Sequence, residues 1–173
     1  MDEITLAVVD DHEIVRMGIN RVLEKEKRIR FVGEARNGEE ALGMARALKP
    51  RVMLVDVKLP DISGIEVVRR LKGDPETCEV QAIMLTVYDD LEIAAEAIRA
   101  GAIGYILKDC GKEQLLSAIY SAAQGVPLVA STITQKLVSI LQQQGDSPQA
   151  EGGLKGVYET LTDRETDILR LVA

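Results

Sequence analysis

Five short apolar runs alternate with five longer segments of helical periodicity over residues 1–125. The apolar runs occupy residues 5–9, 31–35, 52–55, 82–86 and 105–107. Short runs rich in Val, Ile and Leu that alternate with helical segments are typical of a parallel sheet covered by helices. The pattern therefore predicts an α/β fold in which each strand is followed by a helix.

The intervening segments place apolar residues three and four positions apart, which predicts one buried face on each helix. Pro50, Pro60 and Gly73 fall where these elements end or loops begin. Gly18 and Gly43 lie inside helical segments, where glycine costs about 1 kcal/mol relative to alanine, so we expect close packing against the sheet there. The predicted buried faces, in chain order, are Val15, Ile19, Val22 and Leu23; Ala41, Ala45 and Leu48; Ile65, Val68 and Leu71; Leu91, Ala94, Ala95 and Ile98; and Leu115, Leu116, Ile119 and Ala122.

The composition changes after residue 125, which divides the chain into three parts: 1–125, a linker over 126–155, and 156–173. Residues 131–143 predict an amphipathic helix, and a stretch rich in Gln, Gly, Ser and Pro follows it. A capping box at residues 162–165 then opens another helix, in which the sequence ends. A helix of that length is not stable alone in water. We therefore expect its apolar face, and that of residues 131–143, to need partners, and we expect dimerisation through residues 1–125 or through the linker helix.

The amino-acid composition narrows the possible classes of protein. With 46% hydrophobic and 28% charged residues, the chain is typical of a soluble globular protein. It shows no signal peptide and no apolar run of about 20 residues, so we expect a cytoplasmic protein with no membrane partner and two free cysteines. The net charge is −7, and the parts before and after residue 125 each carry a net negative charge. No basic surface for nucleic acid is therefore evident.

Polar side chains end four of the predicted strands. Asp10 and Asp11 follow the first, Asp56 the third, Thr86 the fourth and Lys108 the fifth. The carboxyl ends of parallel strands share one edge, where ligands bind in open α/β sheets. Three carboxylates gathered there would repel each other unless a cation held them. A hard ion with oxygen ligands fits, which favours Mg²⁺ over zinc.

These side chains form a set suited to phosphoryl transfer. With Mg²⁺ bound, Asp56 can attack a phosphoryl group, Lys108 can neutralise its charge, and the Thr86 hydroxyl can donate a hydrogen bond to it. Each residue alone also has an ordinary role, as a helix cap, a strand residue or a surface charge. All of them at one sheet edge in this order make the functional interpretation the better one.

The motifs Asp10-Asp11-His12, residues 56–64, Thr86 and residues 105–108 resemble the receiver domain of two-component response regulators. The resemblance covers residues 1–125 and implies a flavodoxin-like, doubly wound (βα)5 sheet with strand order 2-1-3-4-5. It implies phosphorylation of Asp56 by a sensor histidine kinase and a switch pair formed by Thr86 and Tyr105. For Mg²⁺ it implies a direct ligand at Asp11, a water-mediated one at Asp10 and the backbone carbonyl of Lys58, with Asp56 as the remaining member of the metal site.

Residues 161–172 resemble the opening helix of a LuxR-type helix-turn-helix, as found in the NarL/FixJ group. This resemblance implies a transcriptional regulator whose residues 156–173 are the first part of a DNA-binding domain. The recognition helix that would enter the major groove is not among them. We therefore expect DNA binding only in a full-length form. Homodimers are expected because of the apolar faces after residue 125.

Two further expectations concern the neighbours of the site. Lys58 and Tyr88, two residues beyond Asp56 and Thr86, flank the path of the attacking water in the resembled family, and both are long enough to obstruct it. Slow autodephosphorylation is expected, with no other enzymatic activity. Many receivers have a cis proline after the lysine. Asp109 stands there, and because a cis bond before a residue other than proline costs roughly 3 kcal/mol, we predict a trans bond.

Three alternatives remain. A Mg²⁺-dependent phosphohydrolase of the haloacid dehalogenase kind also uses an aspartate nucleophile at a strand end, but it has Asp-x-Asp where this chain has Asp56-Val57-Lys58. A flavodoxin-like FMN protein needs a phosphate loop after the first strand, where Asp10 and Asp11 would repel phosphate. A stand-alone receiver would act through contacts with other proteins.

Overall fold

The computed structural model describes residues 3–129. All strands of the sheet run parallel, and five helices cover the two faces. In chain order the elements are β1 (Ile4–Val9), α1 (Glu13–Leu23), β2 (Ile29–Ala35), α2 (Gly38–Leu48), β3 (Val52–Asp56), α3 (Gly64–Gly73), β4 (Gln81–Thr86), α4 (Leu91–Ala100), β5 (Gly104–Leu107), α5 (Lys112–Ala123) and β6 (Leu128–Val129).

The strand order is β2-β1-β3-β4-β5-β6. Within it, the order 2-1-3-4-5 confirms the predicted doubly wound sheet. Strand β6 was not predicted: Leu128 and Val129 pair with Gly104 and Tyr105 at the edge of the sheet, beyond residue 125. Two residues after a proline show no alternation of apolar and polar positions, so the sequence pattern could not indicate this strand.

Successive residues of each strand point to opposite faces of the pleated sheet and so pack into two separate hydrophobic layers. In β3, Met53 and Val55 pack on the side of α2, α3 and α4, whereas Val52 and Leu54 pack on the side of α1 and α5. All four are fully buried. A strand buried on both faces explains the continuous apolar run that the sequence shows there.

Three details differ from the expected pattern. Leu48, predicted on the buried face of α2, is 47% exposed at the last position of that helix. Helix α4 buries Ala94, Ala97 and Ala100, while Leu91 is only partly buried, because small side chains let this helix approach the sheet closely. A Cβ at Gly18 or Gly43 would meet no atom within 4 Å, so the expected close packing at these glycines is wrong.

The predicted elements over residues 131–143 and 162–173 lie outside the described residues. Among the described helices, none is long and apolar enough to cross a membrane.

Candidate functional site

Two adjacent strands place Asp10 and Asp56 in one crevice. β1 and β3 are neighbours in the sheet, and their connections leave on opposite sides of it, so a cleft opens beyond their carboxyl ends. Asp10 follows β1 and Asp56 ends β3, and both are buried, with 1% and 4% of their surface exposed. The Asp10 N–H donates a 3.1 Å hydrogen bond to the Ala35 carbonyl, which fixes the main chain at the end of β1.

Lys108 joins these two acids from the far side of β4. Its Nζ lies 2.7 Å from Asp10 Oδ2 and 2.7 Å from Asp56 Oδ2, and its side chain is 12% exposed. Burial works to lower the pKa of Lys108, but hydrogen bonds and charge from Asp10 and Asp56 outweigh it and leave the pKa above its ordinary value. The ammonium is therefore present at neutral pH and offsets part of the negative charge.

Opposing influences act on the pKa of the Asp56 carboxyl. Burial raises the pKa of this carboxyl above its ordinary value, and the Asp10 charge adds to the rise, while the hydrogen bond and charge of Lys108 oppose it. The Lys58 N–H also donates to Asp56 Oδ1 at 3.3 Å. A carboxylate that is poorly solvated and only partly neutralised is ready to interact with a further cation or an electrophile.

Asp11 lies at the mouth of the cleft, with its side chain 38% exposed. His12 Nδ1 is 2.7 Å from Asp11 Oδ1 and 3.2 Å from Asp10 Oδ1. The His12 main-chain N–H also donates to Asp10 Oδ1 at 2.9 Å. Carboxylate oxygens only accept hydrogen bonds, so these two contacts favour the tautomer with the proton on Nδ1, in which this nitrogen has no lone pair for a metal.

The acid cluster fits Mg²⁺. One ligand atom from each of Asp10, Asp11, His12 and Asp56 can be chosen so that all lie within 4.8 Å of one another. Oxygens around one Mg²⁺ lie about 3 to 4 Å apart, so the three carboxylates are nearly at that spacing already. An all-oxygen set with excess negative charge suits a hard divalent cation and not a soft one.

Thr86 and Tyr105 hold the main chain of Tyr88, in the β4–α4 loop, on the two sides of its Cα. The Thr86 hydroxyl accepts a 3.1 Å bond from the Tyr88 N–H, and the Tyr105 hydroxyl donates a 2.7 Å bond to the Tyr88 carbonyl. Both side chains are fully buried. Burial, with help from the Asp90 and Asp89 charges, raises the pKa of Tyr105 to about 12, so its hydroxyl remains a donor at neutral pH.

The β3–α3 loop is held by a short path of main-chain contacts. The Gly64 N–H donates a 2.8 Å bond to the Val57 carbonyl, and a Cβ on Gly64 would collide with the Asp56 carbonyl oxygen. Asp61 accepts bonds of 2.7 and 2.9 Å from the Gly38 and Glu39 N–H groups at the start of α2. The Gly38 bond, with smaller help from Glu39, lowers the pKa of Asp61 to about 2.

The structure thus brings together four of the predicted residues, Asp10, Asp11, Asp56 and Lys108. Thr86, at the end of β4, and Tyr105, the second residue of β5, are both buried and meet at the main chain of Tyr88. Lys58 is exposed, and the Tyr88 residue is 38% exposed. There is no cis peptide bond in residues 3–129, so the bond between Lys108 and Asp109 is trans.

Three side chains in or beside the site escaped sequence reasoning. His12 contacts two acids, Arg16 is buried under Asp10, and Asp61 caps α2. An arginine within the otherwise apolar face of α1 was the one available signal. The contacts of His12 and Asp61 depend on tertiary proximity, which spacing along the chain does not reveal.

A doubly wound sheet with acids at the ends of β1 and β3, a threonine at the end of β4 and a lysine after β5 defines the chain as a response regulator of a two-component system. A family model described as the response regulator receiver domain matches residues 6–120. The chain belongs to this family, and its relatives are response regulators of the NarL/FixJ group.

Relatives align over almost the whole chain. The response regulator UvrY of Escherichia coli K12 is 36% identical over 171 residues, covering 98% of this chain and 73% of UvrY. The response regulator GacA of Pseudomonas aeruginosa is 36% identical over 173 residues, covering 98% and 75%. Among solved structures, a LuxR-family two-component response regulator from Aurantimonas sp. SI85-9A1 superposes with a TM-score of 0.75 at 28% identity, covering 80% of this chain and 97% of that one. These relatives do not favour the phosphohydrolase alternative.

Proposed function

We propose that Asp56 is the phosphoacceptor of this response regulator and that a sensor histidine kinase supplies the phosphoryl group. The observation that carries the proposal is the position of the Asp56 carboxylate. It ends a central strand at 4% exposure, with Lys108 Nζ at 2.7 Å and two further acids beside it. Asp10 and Asp11 supply further negative charge for a cation, and Lys108, whose ammonium Asp56 shares with Asp10, is placed to offset the charge of a group bound to Asp56.

In the proposed reaction an Asp56 oxygen attacks phosphorus, forming a P–O bond as the P–N bond to the kinase imidazole breaks. The electron pair of that bond returns to the imidazole nitrogen, which can then take a proton. Lys108 offsets negative charge on the phosphoryl oxygens, and the Thr86 hydroxyl can donate to one of them. Asp10, Asp11, Asp56 and the Lys58 carbonyl would hold Mg²⁺, which when bound neutralises charge on the phosphoryl group.

The switch follows from the contacts of Tyr88. Thr86 accepts from the main-chain N–H of this residue, and Tyr105 donates to its carbonyl. If the Thr86 hydroxyl turns toward a phosphoryl oxygen, its contact with the Tyr88 N–H weakens and the β4–α4 loop is free to shift. We propose this rearrangement as the route by which phosphorylation changes the surface around α4 and β5.

Slow loss of the phosphoryl group is part of the proposal. Lys58 and Tyr88 follow the ends of β3 and β4, and their long side chains can obstruct the in-line approach of water to phosphorus. Receiver proteins are normally not catalytic enzymes, and slow autodephosphorylation is the single self-reaction proposed here.

For output, we propose a cytoplasmic homodimer that controls transcription through a LuxR-type DNA-binding domain beginning at residues 156–173. The support is the similarity of the whole chain to UvrY and GacA. The proposed division into a receiver over 1–125, a linker over 126–155 and an output part rests on composition and on the capping box.

Intact-mass measurement tests the phosphoacceptor. The full chain is treated with acetyl phosphate and Mg²⁺, and we expect one phosphoryl group per chain in the wild type and none in Asp56→Asn. Asp109→Asn, which changes an exposed acid next to Lys108, is the matched control and should be labelled normally. Phosphorylation of Asp56→Asn to the wild-type extent would contradict the assignment.

A further inference from the structure

Arg16 is a buried charge for which the phosphoryl chemistry has no use. It is the fourth residue of α1, is 2% exposed, and donates from Nη1 to the Asp10 carbonyl oxygen at 2.8 Å. Its Nε lies 3.4 Å from Glu34 Oε1, a carboxylate that is 46% exposed, and has no hydrogen-bond partner.

Stability is a poor explanation for this arginine. A guanidinium stays charged at any ordinary pH, and burying it with incomplete pairing costs free energy that a well-packed apolar side chain would not. The neighbouring inward positions of α1 are apolar, as Ile19 and Leu23 show. A charge kept at such a position is better explained by what its hydrogen bond does.

The bond from Arg16 fixes the peptide between Asp10 and Asp11. Ala35 already accepts from the Asp10 N–H, so the bond to the Asp10 carbonyl immobilises the other side of that residue. The Asp11 carboxylate, by contrast, is 38% exposed, and the contact described for it is with His12. Its place in the cleft therefore depends on the orientation of the peptide that precedes it.

We propose that Arg16 is a positioning residue for the cation site: its buried guanidinium holds the Asp10–Asp11 peptide in the orientation that presents the Asp11 carboxylate to Mg²⁺. This inference rests on the proposed Mg²⁺ site. It assigns no contact between Arg16 and the ion or the phosphoryl group.

The two possible roles of Arg16, as a source of positive charge and as a positioning residue, predict opposite changes in Mg²⁺ affinity for one substitution. Arg16→Met has a similar volume, and replacing a buried charge by an apolar residue is often well tolerated. If Arg16 only added positive charge near the site, its removal would tighten Mg²⁺ binding. If it positions Asp11, removal should weaken Mg²⁺ binding about tenfold, the size of effect that partners of metal ligands usually have.

The test is an NMR titration of the unphosphorylated full chain with Mg²⁺, following the amide signals of residues 10–12 and 56–58. Urea unfolding of each variant reports stability separately. Arg51→Met is the matched control, because Arg51 Nε also donates to a carbonyl, that of Ala123, at 2.8 Å but near the opposite end of the sheet. We expect the control to bind Mg²⁺ like the wild type.

Arg16→Lys provides a second variant, which keeps the charge but loses the planar donor group, and it should also weaken binding. Unchanged or tighter Mg²⁺ binding by folded Arg16→Met would overturn the proposal. So would failure of both variants to fold, since that shows a structural role instead. Asp11→Asn separates the two levels of inference: if the wild type binds Mg²⁺ and Asp11→Asn does not, the cation site stands whatever Arg16 does.

Discussion

Replacing Lys108 by methionine should destabilise the folded protein because it leaves two buried acids without their shared cation. Each contact joins unit charges 2.7 Å apart, which corresponds to about 6 kcal/mol of attraction at an effective dielectric constant of about 20. The cost of burying the three charges cancels most of this. Removing one partner of a buried ion pair typically costs 3–5 kcal/mol. Because Lys108 is 12% exposed, we expect about 3 kcal/mol at pH 7 without Mg²⁺.

The sign of the pH dependence follows from Asp56. Its pKa in the folded protein is already above the ordinary value of 3.8, and loss of Lys108 removes the two strongest influences that oppose the rise. The folded variant should therefore bind a proton at higher pH than the unfolded chain, so its stability increases as pH falls through that raised pKa. The penalty of Lys108→Met should be full at pH 7 and smaller at pH 5.

Urea unfolding monitored by circular dichroism at pH 7 and pH 5, with EDTA or excess Mg²⁺, measures these effects. Mg²⁺ should stabilise the variant more than the wild type, since the cleft has become more negative. Lys112→Met is the control: Lys112 is 41% exposed and pairs with Glu26 at 2.9 Å, so its loss should cost less than about 1 kcal/mol. Equal effects of the two substitutions, or a Lys108 penalty that grows on acidification, would refute the electrostatic argument.

Three further predictions address the loops around the site. Tyr105→Phe removes the hydrogen bond to the Tyr88 carbonyl and should cost about 1 kcal/mol, with faster amide exchange in residues 87–90 by NMR; unchanged exchange would mean that this bond does not hold the loop. Asp61, with its pKa lowered to about 2, should contribute stability above the unfolded value of 3.8 and lose it as pH falls through about 2; a carbon-13 titration midpoint near 4 would contradict the bonds from α2. Replacing both Lys58 and Tyr88 by alanine should shorten the lifetime of the phosphorylated form, as followed by intact mass, and equal decay rates would dispose of the steric explanation.

The sequence was sufficient for the sheet and for most of the site because both depend on local patterns. A strand buried on both faces reads as an apolar run, and its last residue identifies the edge at which ligands bind. Once Asp10, Asp56 and Lys108 were assigned to strand ends, the parallel topology required them to lie together. Their observed separations of 2.7 Å from Lys108 Nζ agree with that expectation.

What the sequence could not reveal depends on contacts between distant segments. Asp61 reaches the start of α2 across 23 positions, and no periodicity marks such a contact. Arg16 falls on the apolar face of α1, but the bond from its guanidinium to the Asp10 carbonyl cannot be inferred from that spacing. Strand β6 is too short to show a pattern, and the inward face of α4 was misplaced because its alanines are weakly apolar.

Gly64 shows that intolerance to substitution is not the same as a chemical role. Any side chain at this position would collide with the main chain of Asp56, so a mutational scan scored by signalling output should find position 64 as restricted as the proposed phosphoacceptor, Asp56. The glycine supplies no charge, proton or ligand. Its restriction comes from the close approach of two main-chain segments, and a reader of such a scan needs stability measurements beside it to tell the two kinds of position apart.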